Sequence, residues 1–279
     1  MFQRVTFILI LVAFISSCKK DKDDFTIEKN PFNVFPKHLT QQVLLENIVS
    51  ESSELSFSNY FLVESLKVKY PQLINVNFHK LDWLETPATN ELIDLLGGIS
   101  TIPIAASNRL IGKNTIYNQD NFTFLFPINW DLAISRAYAQ TPPMSLAIES
   151  SINEQQIASA SLYIATPSAI LEDTRLGCYL VQDSIQSIFQ VGVPSGNSFK
   201  HEQVLVESLY PLSGEKIDLS AIEDSSITKV QLKSMDIQAY VKENLYLVAF
   251  LFKYDTDFRK IKIYNAIKVK LGGVKFWNQ

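Results

Sequence analysis

Apolar and polar positions alternate between two periods in the first half of the chain, and this predicts strands and helices in turn. Predicted strands cover residues 43–49, 74–78 and 102–106, and predicted helices cover residues 56–70, 86–96 and 130–138. Thr86 and Pro87 suit the start of the second helix, and Gly97 and Gly98 suit its end. The order strand, helix, repeated three times, predicts an α/β domain.

After Pro142 and Pro143 the pattern changes to short apolar runs separated by turn-rich segments. The predicted strands cover residues 144–152, 158–164, 177–181, 185–190, 204–210, 227–232, 245–252, 261–263 and 267–271. Short strands without a long helix between them predict an antiparallel β-sandwich. We therefore expect an α/β domain at 38–140 and an all-β domain at 141–279, with the boundary near 139–143.

The amino-terminal residues have the pattern of a secretion signal. Arg4 precedes an apolar run from Val5 to Ile15, which only Thr6 interrupts. As a helix this run would span about 16 Å, roughly half of the ~30 Å apolar thickness of a bilayer. Residues 1–17 are therefore predicted to be a cleaved signal peptide and not a permanent membrane span.

The segment Ile15-Ser16-Ser17-Cys18 resembles the bacterial lipobox. The resemblance implies a lipoprotein whose new amino-terminal residue, Cys18, carries diacylglyceride on its thiol and a further acyl group such as palmitate. Several acyl chains hold a protein stably on a membrane, whereas one does so only marginally. The alternative is an ordinary secretion signal with an incidental cysteine.

A charged segment follows this cysteine, and residues 18–37 are predicted to form a solvated tether. The residues from Lys19 to Asp24 are basic and then acidic. This order resembles the surface-export signal of some Gram-negative lipoproteins. We expect attachment to the outer membrane, and both the cell surface and the periplasmic face remain open.

Composition and cysteine content restrict the possible functions. The chain is 47% hydrophobic and 19% charged, which excludes global disorder, and its net charge of −4 argues against a nucleic-acid partner. It has two cysteines, so lipidation of Cys18 would leave Cys178 without an intramolecular disulfide partner. Cys178 lies in an apolar stretch and is expected to be a buried core thiol.

Four segments, taken in order, resemble the Omp-twenty-eight-related family of Gram-negative outer-membrane lipoproteins. They are Val43–Asn47, Gly98–Pro103, Cys178–Asp183 and His201–Leu205, and the last retains only the first of two family histidines. The likeness extends over about residues 40–270. It implies a thioredoxin-like domain with Pro103 as its cis-proline, followed by an immunoglobulin-like β-sandwich.

The sequence departs from that family at the position of its CxxC motif, where it has Ser53-Glu54-Leu55-Ser56. Thiol–disulfide exchange needs an attacking thiolate and a second, resolving thiol. Because both cysteines are absent, we expect no oxidoreductase activity and no cofactor. Ser56 is expected to act as a helix N-cap, with a catalytic serine as the alternative.

The remaining candidate residues are isolated in the sequence. His38, His79 and His201 lie in separate segments without metal-ligand spacing, so no metal site is expected, and His79 is expected to be partly exposed at an edge. Ser184 lies in a short O-glycosylation acceptor pattern that also arises often by chance.

Together these features predict a non-catalytic outer-membrane or cell-surface lipoprotein. It would be attached to the membrane through Cys18 and would bind a protein or glycan partner. The alternatives are a protein of the envelope related to thiol–disulfide oxidoreductases and a purely structural envelope component.

Overall fold

A computed structural model describes residues 31–99, 101–114 and 119–277 of the chain. The α-helices are α1 (Glu54–Lys69), α2 (Pro87–Leu95) and α3 (Trp130–Tyr138). Short 3₁₀ helices cover Pro31–Asn33, Pro127–Asn129, Lys242–Asn244 and Phe258–Lys260. The strands are β1 (Val43–Val49), β2 (Leu73–His79), β3 (Ile104–Ser107), β4 (Gly112–Asn114), β5 (Gln119–Phe122), β6 (Ser145–Ile152), β7 (Ile157–Thr166), β8 (Thr174–Gln182), β9 (Ile185–Ser187), β10 (Phe199–His201), β11 (Val204–Ser208), β12 (Glu215–Ile217), β13 (Ser226–Gln231), β14 (Met235–Asp236), β15 (Leu245–Lys253), β16 (Lys262–Lys270) and β17 (Val274–Lys275). The predicted signal peptide and Cys18 lie outside the described residues.

One mixed sheet contains strands from both halves of the chain. Its order is β16-β15-β8-β11-β2-β1-β3, and β12 also pairs with β8. Strands β1 and β2 are parallel, and β2 meets β11 in parallel where Asn77 faces Val204. The other pairs in this sheet are antiparallel. Backbone pairing therefore joins segments that were predicted to form separate domains, and the predicted boundary lies in the connection between α3 and β6.

A second, antiparallel sheet stacks on the mixed sheet and forms a sandwich with it. Its order is β13-β7-β6-β17, and β14 also pairs with β7. Side chains such as Leu146 and Leu162 from this sheet share an apolar cluster with Leu180, Leu247 and Ile267 from the mixed sheet. The fold is thus mostly β with a few helices, as the apolar pattern predicted in outline.

The mixed sheet buries both of its faces, which explains its nearly continuous apolar strands. Successive side chains of a strand point to opposite faces, so Leu180 enters the sandwich core while Tyr179 and Val181 enter a second cluster with Phe78 and Leu92. All seven residues of β1 are buried, and its other face packs against α1 and α3. No helix within the described residues is long and apolar enough to cross a membrane.

A buried ionic network joins β1, the segment after β3, and β8. Arg109 donates through Nε and Nη2 to the two carboxylate oxygens of Glu46, at 2.9 and 2.8 Å. The Tyr179 hydroxyl donates to Glu46 Oε1 at 2.6 Å and accepts from Arg109 at 3.0 Å. The guanidinium also lies 4.8 Å from the ring centre of Phe252. Because both ionic side chains are fully buried, each depends on the other for compensation.

Candidate functional site

The candidate site lies at the end of the mixed sheet where the parallel strands β1 and β2 finish. The loop that follows β1 contains Ser50 to Ser53, and α1 begins immediately after it. The strand β3 runs antiparallel to β1 and starts at the same end, where Ile104 faces Ile48. The peptide bond between Ile102 and Pro103 is cis, at the position predicted for the cis-proline. The sheet therefore brings Ser53, Ser56 and Pro103 to the same end of its strands.

Ser53 and Ser56, which stand where the family resemblance places a CxxC motif, both accept backbone hydrogen bonds at the turn before α1. Ser53 is the N-cap, and its hydroxyl accepts from the Ser56 backbone N–H at 3.2 Å. The buried Ser56 hydroxyl instead accepts from the Ser50 backbone N–H at 3.1 Å. The expectation that Ser56 caps the helix is therefore wrong, because the helix begins two residues earlier and takes Ser53 as its cap.

Cys178 does not belong to this site. It lies in β8 with its side chain fully buried in the sandwich core. Burial raises the pKa of its thiol well above the ordinary value, because the thiolate loses its hydration. Within the described part of the chain, Ser53 and Ser56 therefore have no thiolate beside them.

Two histidines that are distant in the sequence are in contact beside the loop after β1. The rings of His79 and His201 have centroids 4.9 Å apart and cross at 81°. Both side chains are nearly inaccessible, at 1% and 6% exposure. The expectation that His79 is partly exposed is wrong, and the two histidines, which lie in separate sequence segments, meet in the fold. Strand β11 pairs with β2 at Asn77, two residues before His79, and His201 lies three residues before the paired Val204.

Each histidine has its own carboxylate partner. His79 Nδ1 lies 2.8 Å from Asp82 Oδ2, and His201 Nε2 lies 3.0 Å from Glu51 Oε1. Burial, followed by the charge of His79, lowers the pKa of His201 to about 4 despite the opposing effect of Glu51. Burial alone would raise the pKa of Asp82. The hydrogen bond and charge of His79, with backbone N–H groups of Glu51 and Leu84, hold that pKa below its usual value.

A small polar cavity of about 30 Å³ adjoins the histidine pair, between α1, β2 and the segment before β11. Its volume suits one or two water molecules. His79 Nε2 is buried and has no hydrogen-bond partner among the described residues, and the same holds for the side-chain oxygens of Asn47 and Asn75. Within residues 31–99, 101–114 and 119–277, no group of three or more histidine, cysteine or carboxylate side chains could hold a metal ion.

His201 belongs to a projecting hairpin, residues 185–201, which we call the flap. Its strands β9 and β10 pair with each other. At its base the Ser184 backbone N–H donates to Glu202 Oε2 at 3.0 Å, and the Gln203 N–H donates to Asp183 Oδ1 at 2.7 Å. Ser184 and Gln203 both have positive φ, of 65° and 56°, so the chain bends sharply at each end of the flap.

The flap docks on the loop after β1 through a few polar contacts besides His201. The Val191 backbone N–H donates to the Glu51 carbonyl at 2.8 Å. The buried Gln190 amide donates to the Ser53 carbonyl at 3.2 Å. On the other side of the same loop, the Glu51 N–H donates to Asp82 Oδ2 at 2.9 Å. Glu51 is therefore the point where the flap, the start of α1 and the loop after β2 meet.

These three segments expose apolar side chains around the buried polar cluster, and we call this set the apolar rim. Its exposed fractions range from 46% to 74% for Leu55, Leu81, Trp83, Ile188, Phe189 and Val191. Isolated exposed apolar residues are ordinary, and these six lie on segments that meet at Glu51. The rim also adjoins the turn that contains Ser53, at the start of α1.

The other residues singled out from the sequence do not join this site directly. His38 is exposed in the segment before β1. Ser184 is half-buried at the base of the flap, with its N–H bonded to Glu202. The sequence pattern did not reveal Glu51, Asp82 or the pairing of the histidines, because each depends on strand pairing between distant segments.

The fold is similar to a solved structure of HBP35 of Porphyromonas gingivalis, with a TM-score of 0.69 and 17% identity over 84% of this chain and 76% of that chain. At this identity the likeness shows a shared fold alone. A domain of the outer membrane lipoprotein Omp28 from Porphyromonas gingivalis also matches, with 15% identity over 48% of this chain and 91% of that chain, but its TM-score of 0.28 carries no argument. No protein-family model and no curated protein matches the chain.

Proposed function

We propose that this chain is a non-catalytic outer-membrane lipoprotein, held by lipid on Cys18, that binds a protein partner through the apolar rim. In this proposal residues 38–140 are a thioredoxin-like domain without its redox pair, and residues 141–279 are an immunoglobulin-like sandwich. The observation that carries the proposal is that the three segments meeting at Glu51 each expose apolar side chains, beside two serines whose hydroxyls are bonded to backbone N–H groups.

The absence of thiols from this edge supports a binding role over an oxidoreductase role. Exchange needs a thiolate and a resolving thiol, and a serine hydroxyl supplies neither. Cys178 is enclosed in the sandwich core, where burial raises its thiol pKa. An insulin-reduction assay on the full-length protein separates the two readings. We expect turnover equal to a control without protein, and turnover clearly above it would favour the oxidoreductase reading.

The chemistry of the rim favours a protein over a glycan partner. Trp83 and Phe189 are large aromatic side chains with 59% and 68% exposure, and aromatic residues dominate the binding energy of protein interfaces. The polar groups beneath them are already engaged with one another: Glu51 and Asp82 face the histidines.

Site-specific cross-linking on cells tests this role. A photoreactive residue at position 189 of the full-length lipoprotein should give a discrete protein adduct. The adduct should be lost when Trp83→Ser is added. The matched control position is Leu171, which is 82% exposed in the connection between β7 and β8, away from the rim segments. Identical adducts at both positions would oppose binding at the rim.

Attachment and exposure are tested on the same cells. Cys18→Ser should release the protein from the membrane fraction, because the acyl chains would be absent. Protease added to intact cells should degrade a surface-exposed protein. Protection that persists until the cells are lysed would favour the periplasm-facing location.

A further inference from the structure

The histidine pair lies beneath the flap and provides the main charged contact between the flap and the rest of the site. His201 is on the flap, whereas His79, Glu51 and Asp82 are on the segments that the flap covers. Three rim residues, Ile188, Phe189 and Val191, also lie on the flap. A displacement of the flap would therefore separate one half of the apolar rim from the other.

We propose that the His79–His201 pair is a pH-sensitive clasp, which holds the flap closed near neutral pH and releases it on acidification. The proposal deepens the proposed function and rests on it in one respect: the flap must carry part of the partner-binding surface. The clasp itself is a property of the chain alone and can be tested without a partner.

The geometry makes proton uptake by the closed flap unfavourable. Protonation of both rings would place two positive charges about 5 Å apart in a site that is almost closed to water. His201 faces Glu51 and His79, and Asp82 lies behind His79. The adjoining cavity adds Glu64 and Lys67 from α1 and Glu202 from the base of the flap. The Glu51 carboxylate at 3.0 Å raises the pKa of His201, but the loss of hydration and the charge of His79 outweigh it, so that pKa stays below its ordinary value.

The direction of the pH dependence follows from this lowered pKa. An open flap exposes His201, whose pKa returns to about 6.5, so the open state binds more protons than the closed state. The contribution of His201 to closure is therefore complete above about pH 6.5 and is lost progressively as the pH falls toward 4. With these two pKa values, the open-to-closed ratio rises about 20-fold between pH 7 and pH 5.

The base of the flap is suited to such a motion. Asp183 and Glu202 fix the two ends through backbone N–H groups, and the positive φ at Ser184 and Gln203 concentrates the bend there. Toward the tip, the contacts with the loop after β1 include the few hydrogen bonds of Gln190 and Val191. Opening would also separate the Phe199 ring of the flap from Phe57 and Tyr60 of α1, whose ring centroids lie 5.6 and 5.3 Å away.

Hydrogen exchange of the detergent-solubilised full-length protein tests the clasp. We expect exchange in residues 185–201, corrected for the intrinsic effect of pH, to rise about 20-fold from pH 7 to pH 5, while β15 and β16 stay protected. In His201→Gln the exchange of the flap should be nearly independent of pH. His38→Gln, at an exposed histidine outside the site, should behave as the unchanged protein does.

Three results would overturn the clasp: a flap that stays protected at pH 5, an equal rise in His201→Gln, or a rise shared by β15 and β16. If His201→Gln fails to fold, as loss of protection in β15 at pH 7 would show, His79→Gln takes its place and should reduce the pH response by removing the second charge. The test of the clasp is separable from the test of the proposed function. A flap that opens while the adduct at position 189 is missing at every pH leaves the clasp intact and rejects partner binding at the rim.

Discussion

The buried ion pair between Glu46 and Arg109, to which the Tyr179 hydroxyl of β8 is also bonded, offers a direct test of what stabilises the interior of this fold. The substitution Glu46→Gln removes the carboxylate charge while keeping the size of the side chain. In the native protein this carboxylate receives two hydrogen bonds from Arg109 and one from the Tyr179 hydroxyl. Both ionic side chains have no exposed surface, so water cannot replace the lost charge.

The expected loss of stability follows from this burial. Removing one partner of a buried ion pair costs about 3–5 kcal/mol, because the remaining charge stays buried without compensation. The glutamine amide oxygen can still accept one hydrogen bond, so we expect a value near the lower end, about 3 kcal/mol. Replacing Glu46 and Arg109 together with methionine should recover part of the loss, because no unpaired charge then remains, although the buried Tyr179 hydroxyl loses both of its partners.

Urea unfolding of the solubilised protein measures these changes as differences in the free energy of unfolding. Lys69→Met is the matched control, because Lys69 pairs with Asp131 at 2.7 Å but both side chains are more than half exposed. Such exposed pairs contribute less than about 1 kcal/mol. If Glu46→Gln costs no more than Lys69→Met, or if the double methionine variant is no more stable than the single one, the buried pair does not stabilise the fold as described.

Three further predictions concern individual residues. Ser53→Ala should lower the free energy of unfolding by about 1 kcal/mol through loss of the N-cap. The control Ser58→Ala, on the exposed face of α1, should cost under about 0.5 kcal/mol. Equal losses in urea titrations would contradict the capping role. Cys178 should not react with an aromatic disulfide reagent at pH 8 until urea unfolds the protein, since burial raises its pKa; fast labelling of the native protein would contradict its enclosure. Gly177→Ala should cost about 1–3 kcal/mol, because a Cβ at this position would collide with the ring of Phe250; an unchanged unfolding midpoint would show that the ring can move aside.

Local pattern was sufficient to predict some elements to the residue. The strand Val43–Val49 and the helix Trp130–Tyr138 have the predicted bounds, because an apolar run of strand length and an amphipathic helical period are local properties. Other bounds moved: α1 starts at Glu54, and the predicted strands at 261–263 and 267–271 form one strand, β16.

The pairing of distant segments could not be predicted in this way. Glu46 is the one acidic residue in the apolar strand β1, and the sequence pattern gave no indication of its partner Arg109. The contact of His79 with His201, 122 positions further along the chain, likewise depends on the pairing of β2 with β11. The candidate site is assembled mainly from such contacts. The sequence therefore located Ser53, Ser56 and Pro103 but not the contacts among Glu51, Asp82, His79 and His201.

The affinity of the partner captured at position 189 tests the central claim most directly. Titration of the purified partner against the unchanged protein, Phe189→Ser and Leu171→Ser should give at least tenfold weaker binding for Phe189→Ser alone, since loss of a central aromatic anchor commonly costs 2 kcal/mol or more. Binding should also be unaffected by a thiol reductant, because no thiol lies at the rim. Equal affinities for Phe189→Ser and the unchanged protein, or binding that a reductant abolishes, would contradict a thiol-independent binding role for this surface.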